Sequence, residues 1–470
     1  YIPMLIFRFE YRCVQYSYIQ LKENKRDVRI SVRTIQKKKD FMQGVFYNLS
    51  NFPSFSGLFI IIPLHKKAGQ AKVKNMKYDF TTKLNRAGSG SLKWDAMYQI
   101  NPQVMPDVVP LSVADMEFKM PPELTEGLKQ HLDTAVLGYT GPTPAFTDAV
   151  QNWMLKRHNW HIKPEWIIPI AGVVPAIFHA VRAFTEPGDG VIVLTPVYYP
   201  FFRAVQSQGR NIARCPLHED NGQYTIDFDT LARLAADPHN KALLFCSPHN
   251  PVGRVWKKEE LQKIQEIVLE HNLYLFSDEI HFDIIMSGAE HTVFQSLSDD
   301  LAERTITFTA PTKTFNIAGL GISNIIIKNE KMRARFVEEQ DKGSGTLFTA
   351  LSYKACEICY TQCSAWLDEF LAVIDSNQRL VQRFFQTQLP EIKAPLIEGT
   401  YLQWLDFRAL GMEYKALEQF MTHTAQVFLD EGYIFGEEGR GFERINLAAP
   451  ASVLTEALER LSSALAKLKH

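Results

Sequence analysis

The sequence lacks three features that would place it in a special class of proteins. Its longest unbroken apolar run, Leu58–Leu64, is far shorter than the ~20 residues that span a bilayer. Its 470 residues include six cysteines, too few for the disulfide framework of a secreted scaffold. Lys+Arg 51 against Asp+Glu 52 leave a net charge of −1, which gives no general attraction to nucleic acid. We therefore expect a cytoplasmic protein that binds neither membranes nor nucleic acid.

The composition is that of a large folded protein. Hydrophobic residues make up 46% of the chain, charged residues 22% and aromatic residues 12%. These fractions exclude a disordered or collagen-like chain. At roughly 150 residues per domain, the length predicts about three domains or two large ones.

Residues 1–75 differ from the rest of the chain. They carry 14 Lys+Arg against 4 Asp+Glu, whereas the whole chain is nearly neutral. A signal peptide would place basic residues before its apolar stretch, but here the apolar residues of Tyr1–Phe9 come first. A mitochondrial transit peptide stays an alternative, because acidic residues are few. We interpret residues 1–75 as an extension of doubtful origin that is poorly ordered, and Met76 as the native start.

From Met76 onward, strand-like segments alternate with amphipathic ones, a pattern typical of α/β proteins with a mainly parallel sheet. In segment 258–270, apolar residues recur at helical spacing. Helical patterns dominate after Tyr353. We therefore predict a large sheet-centred domain followed by a smaller α+β domain. The predicted strands are 191–194, 242–246, 273–276, 305–309 and 322–327.

A lysine follows one of these strands directly. Lys313 lies in the hydroxyl-rich loop Ala310–Asn316, after the strand 305–309. A lysine directed into a cleft can form a Schiff base with an aldehyde, and neighbouring hydroxyls could bind a phosphate. The alternative is an ordinary solvated lysine, and Lys313 alone does not decide between the two.

Three other segments place polar groups where strands end or helices begin. Asp278 follows strand 273–276 and could pair with a pyridinium nitrogen, although it could equally cap a helix. Asn250 lies in a proline-rich turn, where its amide could bind a ring oxygen or simply shape the turn. Segment 171–175 opens an apolar helix whose first amides could bind an anion. Together these features predict one site at the ligand-binding edge of a parallel sheet.

Six segments then form a family pattern along the chain: Gly88–Asp95, Ser112–Phe118, Thr195–Phe201, Ser277–His281, Lys313–Leu320 and Gly441–Asn446. With them, the chain from Met76 onward resembles the MalY/PatB family of cystathionine β-lyases, which includes cystalysin. This family belongs to the class I/II, fold type I, pyridoxal-phosphate (PLP) enzymes. The resemblance implies an α/β fold of the PLP-dependent transferase type, in which helices flank a mainly parallel seven-stranded sheet and a smaller α+β domain is added.

The resemblance also implies domain boundaries. Residues 76–121 would join the small domain, residues 122–360 would form the large PLP-binding domain, and residues 361–470 would form the small C-terminal domain.

The resemblance assigns roles around the ring of pyridoxal 5'-phosphate. Lys313 would hold the cofactor as a Schiff base and act as the catalytic base. Asp278 would pair with the pyridine nitrogen, and Asn250 would meet the ring hydroxyl with a weaker contact from His281. Tyr198 would stack on the ring. The phosphate would be bound by backbone amides and hydroxyls of Gly172, Val173, Val174, Thr309 and Thr312.

Three further positions bear on the substrate and the assembly. Arg444 matches the arginine that binds the substrate α-carboxylate. Tyr139 matches a tyrosine that reaches the phosphate of the neighbouring subunit, which implies a homodimer with shared active sites. Gly321 stands where classical aminotransferases have an arginine, and this departure favours the lyase group.

The implied reaction is the α,β-elimination of a small amino-acid substrate. A C–S β-lyase would convert cystathionine, cysteine or cysteine S-conjugates to pyruvate, ammonia and a thiol. An aminotransferase that uses a 2-oxo acid is the alternative, since both reactions begin with removal of the Cα proton. A MalY-like regulatory binding protein is a third hypothesis.

A cluster of cysteines invites a metal-site interpretation. Cys356, Cys359 and Cys363 fall on one face of a predicted helix 352–371. A fourth ligand is not evident in the sequence, so we expect buried thiols and no metal.

Overall fold

A computed structural model describes residues 76–343 and 350–468, together with four short strands nearer the N-terminus. Contacts between residues divide the chain into two compact units, Tyr1–Met76 and Lys77–His470. Among the helices of these described parts, none is long and apolar enough to cross a bilayer.

The first unit contains two antiparallel hairpins. Strand β1 (Ser17–Asn24) pairs with β2 (Asp27–Thr34), and β3 (Val45–Asn48) pairs with β4 (Phe59–Ile62). The predicted poor order of residues 1–75 concerns mostly residues outside the described part of the chain.

The second unit is built on a seven-stranded sheet with the order β5-β13-β12-β11-β10-β6-β7. The strands β12, β11, β10, β6 and β7 run parallel, whereas β13 is antiparallel to both of its neighbours. This architecture confirms the predicted α/β class with a mainly parallel sheet. The strands are β5 Ile167–Ile170, β6 Gly190–Thr195, β7 Asn211–Pro216, β10 Asn240–Cys246, β11 Tyr274–Asp278, β12 Thr305–Thr309 and β13 Ser323–Ile326.

Helices cover both faces of this sheet. Side chains alternate along each strand, so Val193 packs with helix Val173–Phe184 while its neighbour Ile192 packs with helix Lys258–Glu270 on the opposite face. The α-helices are Leu92–Ile100, Pro122–Leu132, Pro144–His158, Val173–Phe184, Pro200–Gln206, Phe228–Ala235, Lys258–Glu270, Asp299–Ala302, Pro311–Thr314, Glu330–Lys342, Ala350–Gln362, Ser364–Gln388, Tyr414–Gln419 and Ala451–Leu468.

A smaller antiparallel sheet follows the long C-terminal helices. It has the order β14-β16-β15 and places Arg444 opposite both Trp404 and Asp430. Its strands are β14 Leu402–Asp406, β15 Asp430–Glu431 and β16 Phe442–Asn446; a further hairpin joins β8 His218–Asp220 to β9 Gln223–Thr225. The division into domains at residues 121 and 360 stays a prediction.

The predicted helix 352–371 is interrupted. Helix Ala350–Gln362 ends before Cys363, and helix Ser364–Gln388 begins after it. Periodicity did not predict the break because the apolar spacing continues across it. Cys356, Cys359 and Cys363 are free and buried, as expected.

Candidate active site

The carboxyl ends of three parallel strands bring the predicted polar groups together. In the sheet register, Cys246 of β10 pairs with Asp278 of β11, and Asp278 pairs with Phe308 of β12. Asn250 follows the first of these positions by four residues, and Lys313 follows the last by five. The three residues therefore lie at one edge of the sheet, where open α/β sheets bind their ligands.

Lys313 lies at this edge of the sheet, and its ammonium group loses a proton more readily than that of an ordinary lysine. It lies on the short helix Pro311–Thr314, and its Nζ donates a hydrogen bond to the Ala114 carbonyl oxygen at 2.6 Å. Burial lowers the pKa of Lys313 to about 8, while the nearby charge of Asp115 opposes that shift. A lysine with such a pKa has a substantial neutral fraction near neutral pH, as a nucleophile or a general base needs. Lys313 is also only partly exposed and has a carbonyl partner, which favours the functional interpretation over an ordinary solvated lysine.

Asp278 is a buried carboxyl at the end of β11. Its Oδ1 accepts a hydrogen bond from the Ile280 amide at 3.2 Å, and a turn follows rather than a helix, so Asp278 does not cap a helix. Burial raises its pKa to about 7. A cation placed against this carboxyl would stabilise its charged form, which is what a protonated pyridine nitrogen would do.

Arg444 and Asn250 contact each other inside the site. Arg444 is buried on β16, and its Nη1 donates to Asn250 Oδ1 at 2.8 Å while its Nη2 pairs with Asp430. The guanidinium carbon also lies 4.7 Å from the centre of the Phe435 ring. The Arg444 Nε has no hydrogen-bond partner among the described residues. Such a fixed guanidinium can grip a carboxylate in two places.

Aromatic side chains and a histidine line the same region. The Tyr198 and Tyr199 rings lie 5.4 Å apart just after β6, and burial raises the pKa of both hydroxyls. Burial also lowers the pKa of His281 well below its ordinary value, and its Nδ1 has no partner in the described chain. The His281 and Tyr401 rings pack in a T-shaped arrangement with their centres 5.7 Å apart. Tyr401 Oη donates to the Ala114 carbonyl oxygen at 2.9 Å.

The predicted phosphate contacts are supported in part. Helix Val173–Phe184 begins at Gly172, which has no side chain that could cap it, so its first amides are available to an anion. Gly321, eight residues after Lys313, lies beside this helix start, because a Cβ built on it would lie 3.2 Å from the Ala171 carbonyl oxygen. The predicted amides belong to Gly172, Val173 and Val174.

The two predicted hydroxyls differ. Thr312 is buried next to Lys313. The phosphate contact of Thr309 stays a prediction; in the structure its Oγ1 donates to the Asn324 carbonyl oxygen at 2.8 Å, so its proton is directed to the neighbouring strand β13. The strand position explains this, because side chains alternate between the faces of a sheet and Thr309 pairs with Asn324 in the register.

Tyr139 lies away from the site within its own chain. Its side chain is 99% exposed, next to Leu137, which is 61% exposed, and Val136, which is 90% exposed. A cavity of about 690 Å³ opens between the start of helix Val173–Phe184 and the two tyrosines after β6. Its lining includes Val174, Pro175, Phe178, Tyr198, Tyr199 and Pro200.

Several residues of the site, including Ala114, Tyr401 and Asp430, were not predicted. Ala114 contributes only a carbonyl oxygen, which no side-chain pattern reveals. Tyr401 and Asp430 belong to or precede strands of the small sheet, and they reach the site through contacts distant in sequence. The family segment Ser112–Phe118 was the one available signal for Ala114, but its role was not assigned.

These residues fit pyridoxal phosphate. Lys313 offers an amine to an aldehyde, Asp278 offers a carboxyl to a ring nitrogen, and the start of helix Val173–Phe184 offers amides to a phosphate. Two buried polar atoms without partners among the described residues, His281 Nδ1 and Arg444 Nε, remain for a ligand.

Comparisons with known proteins give the family. The model of the family Aminotransferase class I and II matches residues 106–461. Cystathionine beta-lyase PatB of Bacillus subtilis (strain 168) is 42% identical over 388 residues, which cover 82% of this chain and 100% of PatB. Protein MalY of Escherichia coli (strain K12) is 29% identical over 392 residues, covering 83% of this chain and 99% of MalY.

A solved structure gives the same result. The crystal structure of cystalysin from Treponema denticola, which contains a pyridoxal 5'-phosphate cofactor, is 66% identical with a TM-score of 0.83. The match covers 84% of this chain and 100% of cystalysin. The chain therefore belongs to the aminotransferase class I and II family and, within it, to the group of PatB, MalY and the cystathionine β-lyases.

Proposed function

We propose that the protein is a PLP-dependent C–S β-lyase. It would eliminate the sulfur substituent from cystathionine, cysteine or cysteine S-conjugates and release pyruvate, ammonia and a thiol. The single observation that carries this proposal is the half-buried Lys313, whose Nζ donates to the Ala114 carbonyl oxygen, whose pKa is lowered to about 8 and which lies within charge range of Arg444 and Asp278. The PatB, cystathionine β-lyase and cystalysin relatives support it.

The cofactor supplies an electron sink that stabilises negative charge at the substrate Cα. Asp278 would hold its ring nitrogen, Asn250 and His281 its ring oxygen, and Tyr198 its ring face. The amides that open helix Val173–Phe184 would hold its phosphate together with the Thr312 hydroxyl.

Arg444 orients the substrate. Its guanidinium would bind the α-carboxylate, while Asn250, Asp430 and Phe435 fix its plane from the other sides. A carboxylate held at two points cannot rotate, so one bond at Cα is kept in the reactive direction.

Lys313 moves the proton. Its neutral amine would take the Cα proton, and the resulting ammonium donates to the Ala114 carbonyl oxygen, the acceptor that Nζ already has in the structure. The departing sulfur then needs a proton. Lys313 can return one, and the Tyr199 hydroxyl is a second, less acidic donor, since burial raises its pKa.

The active form is a homodimer in this proposal. The exposed apolar surface Val136–Tyr139 needs cover, and the cavity beside Val174 has a mostly apolar lining, edged by His179, Arg182 and Arg203, that would accept it. Tyr139 of one protomer would then reach the phosphate of its partner. Mixing Tyr139→Ala protomers with Lys313→Ala protomers tests this, since a mixed dimer would regain one intact site. If mixing the two variants restores no activity, the shared-site proposal is contradicted.

The location of the protein is proposed to be the cytoplasm. The five described cysteines are free and buried, which fits a reducing compartment.

The decisive experiment uses purified protein saturated with pyridoxal phosphate. Incubation with cystathionine should release pyruvate and a thiol without any added 2-oxo acid, and the matched Lys313→Arg variant should release neither. Strict dependence on a 2-oxo acid would instead identify an aminotransferase, the activity of more distant relatives such as the aspartate aminotransferase of Pyrococcus abyssi (strain GE5 / Orsay), 28% identical.

A further inference from the structure

The segment Ser112–Phe118, called the strap below, supplies the acceptor for the Lys313 ammonium. Its Ala114 carbonyl oxygen receives two hydrogen bonds, one from Lys313 Nζ at 2.6 Å and one from Tyr401 Oη at 2.9 Å. The strap is not a helix or a strand. Backbone hydrogen bonds, such as the one from the Glu117 amide to the Ala448 carbonyl oxygen at 2.8 Å, hold it together with side chains that reach it from elsewhere.

One attachment comes from the strand that carries Arg444. Asn446, two residues further along β16, donates through Nδ2 to the carbonyl oxygens of Val113 at 2.9 Å and Asp115 at 2.7 Å. Because residues two apart on a strand share a face, Arg444 and Asn446 are presented together. The substrate-binding strand and the strap thus hold each other.

A second attachment comes from the loop that carries Lys313. Asn316 accepts a hydrogen bond from the Met116 amide at 2.9 Å and donates to the carbonyl oxygens of Met116 at 3.1 Å and Phe118 at 3.0 Å. The strap is therefore tied at one end to the arginine strand and at the other to the lysine loop. Ala114 lies between Val113 and Asp115, the two residues whose carbonyl oxygens Asn446 binds.

A cluster of four charged residues also holds the strap in place: Arg86, Lys93, Asp115 and Glu117. Lys93 is buried to 1% exposure, and its Nζ lies 2.9 Å from Asp115 Oδ1 and 2.8 Å from Glu117 Oε1. Arg86 pairs with the same two carboxylates, at 2.9 Å from Asp115 Oδ2 and 3.0 Å from Glu117 Oε1. A buried ammonium is costly unless it is paired in this way.

Within this cluster, Asp115 has the larger effect on the pKa of Lys313, and Lys93 has a smaller effect of the opposite sign. The Lys93 ammonium and the Arg86 guanidinium hold the pKa of Asp115 below its ordinary value, although burial alone would raise that pKa. Asp115 is therefore a permanent anion one residue away from the carbonyl that binds Lys313 Nζ.

We propose that Lys93 and Asp115 are positioning residues: they hold the strap as the seat of the Lys313 ammonium and set how tightly that lysine keeps its proton. The inference rests on the proposed function, because it concerns the group that would remove the Cα proton. Neither residue touches the substrate in this proposal; both act through the strap.

The sign of each contribution follows from its charge. Beyond burial, four charges act on Lys313: Asp115 and Asp278 raise its pKa, whereas Arg444 and Lys93 lower it. His281 and Tyr401 also face the lysine, and both are uncharged near neutral pH because burial lowers the pKa of His281 and raises that of Tyr401. Removing the charge of Asp115 should lower the pKa of Lys313, and removing that of Lys93 should raise it.

The experiment measures the proton affinity of Lys313 directly and needs no turnover. Full-length protein freed of its cofactor is pulsed with acetic anhydride at a series of pH values, and acetylation of the Lys313 peptide is quantified by mass spectrometry. The midpoint of reactivity should fall by about one pH unit in Asp115→Asn and rise by about one unit in Lys93→Met.

Two control variants distinguish an effect of the lost charge from a structural disturbance of the strap. Tyr401→Phe removes the other hydrogen bond to the Ala114 carbonyl without changing a charge, so the midpoint should stay in place. Asp115→Glu should restore the parental midpoint if the charge is what matters. If Lys93→Met does not fold, as judged by circular dichroism, Asp115→Asn still decides.

An unchanged midpoint in Asp115→Asn, or shifts of the two variants in the same direction, would overturn the inference. The outcome is independent of the proposed reaction. Midpoints that move as expected in a protein that releases no pyruvate would refute the lyase proposal and support the role of the strap.

Discussion

The two carboxylates at the end of β11 are both buried, but their surroundings differ. Asp278 accepts a backbone hydrogen bond from Ile280, and burial raises its pKa to about 7. The adjacent Glu279 accepts hydrogen bonds from the Ser277 hydroxyl at 2.8 Å and the Phe294 amide at 3.1 Å, and it pairs with His291 at 2.8 Å. Among the described residues, no cation pairs with Asp278, whereas Glu279 has three partners.

Lys93, which is buried, and Lys313, which is half-buried, differ in the same way. Lys93 contacts two carboxylates and the Asp115 carbonyl oxygen, whereas Lys313 Nζ donates to the single carbonyl of Ala114 and has a lowered pKa. Groups that are fully paired fix the scaffold, and groups that lack a counter-ion are ready to exchange protons or bind a cation. The difference separates the candidate active groups from the structure that supports them.

The largest expected effect is at the unpaired lysine. Lys313→Ala removes both the cofactor attachment and the base, so release of pyruvate from cystathionine should fall by at least ~10³-fold. The fold should persist, because the side chain that is lost is not part of the paired scaffold. Thermal unfolding followed by circular dichroism is the control; a folded variant that retains full activity would contradict the assignment.

Arg444 tests the substrate side of the comparison. Arg444→Lys keeps the charge but loses the two-point grip, so kcat/KM for cystathionine should fall by about 100-fold. The matched control is Arg440→Lys, on an exposed arginine of the preceding loop that pairs with Glu437. A kcat/KM that changes equally little in both variants would exclude Arg444 from substrate binding.

Asp283 tests the paired side. Its carboxylate accepts hydrogen bonds from Trp153 Nε1 at 3.0 Å and Thr314 Oγ1 at 2.8 Å, and it lies 2.8 Å from His158 Nε2. Asp283→Ala leaves these buried groups unpaired and should lower the free energy of unfolding by about 3 kcal/mol in urea denaturation.

The control for this variant is Asp299→Ala, which removes a surface ion pair with Lys328. The Asp299 side chain is 95% exposed, so its loss should have no measurable effect on stability. If both variants lower the free energy of unfolding equally, burial and pairing of a carboxylate do not determine its contribution to stability.

The smallest expected effect is a pH dependence at Asp278. Because its pKa in the folded, cofactor-free protein is about 7, above the value in an unfolded chain, the folded state binds more protons between about pH 4 and pH 7. This group therefore lowers stability as the pH rises through that window. Asp278→Asn should remove this contribution, so its stability should fall less than that of the parent between pH 4 and pH 8.

Urea denaturation at both pH values, on protein without cofactor, measures this difference. Parallel stability curves for the parent and Asp278→Asn would show that the Asp278 carboxyl does not carry the unfavourable charge. Added pyridoxal phosphate should reverse the trend in the parent, since a cationic ring nitrogen favours the carboxylate.

The sequence predicted the part of the site that follows strand ends. Lys313, Asp278 and Asn250 each lie within a few residues of a strand of buried β-branched and apolar side chains, and parallel strands bring such ends to one edge. The sheet and its helices were predictable for the same reason, because their periodicity is local.

The rest depends on contacts between distant segments. The Tyr401 hydroxyl and the Ala114 carbonyl are separated by 287 residues, and no local pattern joins them. Thr309 was assigned to the phosphate because it precedes Lys313, but its direction is set by strand pairing with Asn324. The roles of the predicted site residues, and the domain boundaries at residues 121 and 360, stay predictions.

The central claim is that Lys313 is the residue that holds the cofactor. The most direct measurement is borohydride reduction of the protein saturated with pyridoxal phosphate, followed by peptide mass spectrometry. The account predicts a cofactor adduct on Lys313 and on no other lysine. An adduct on Lys93, or protein that remains unlabelled, would contradict it.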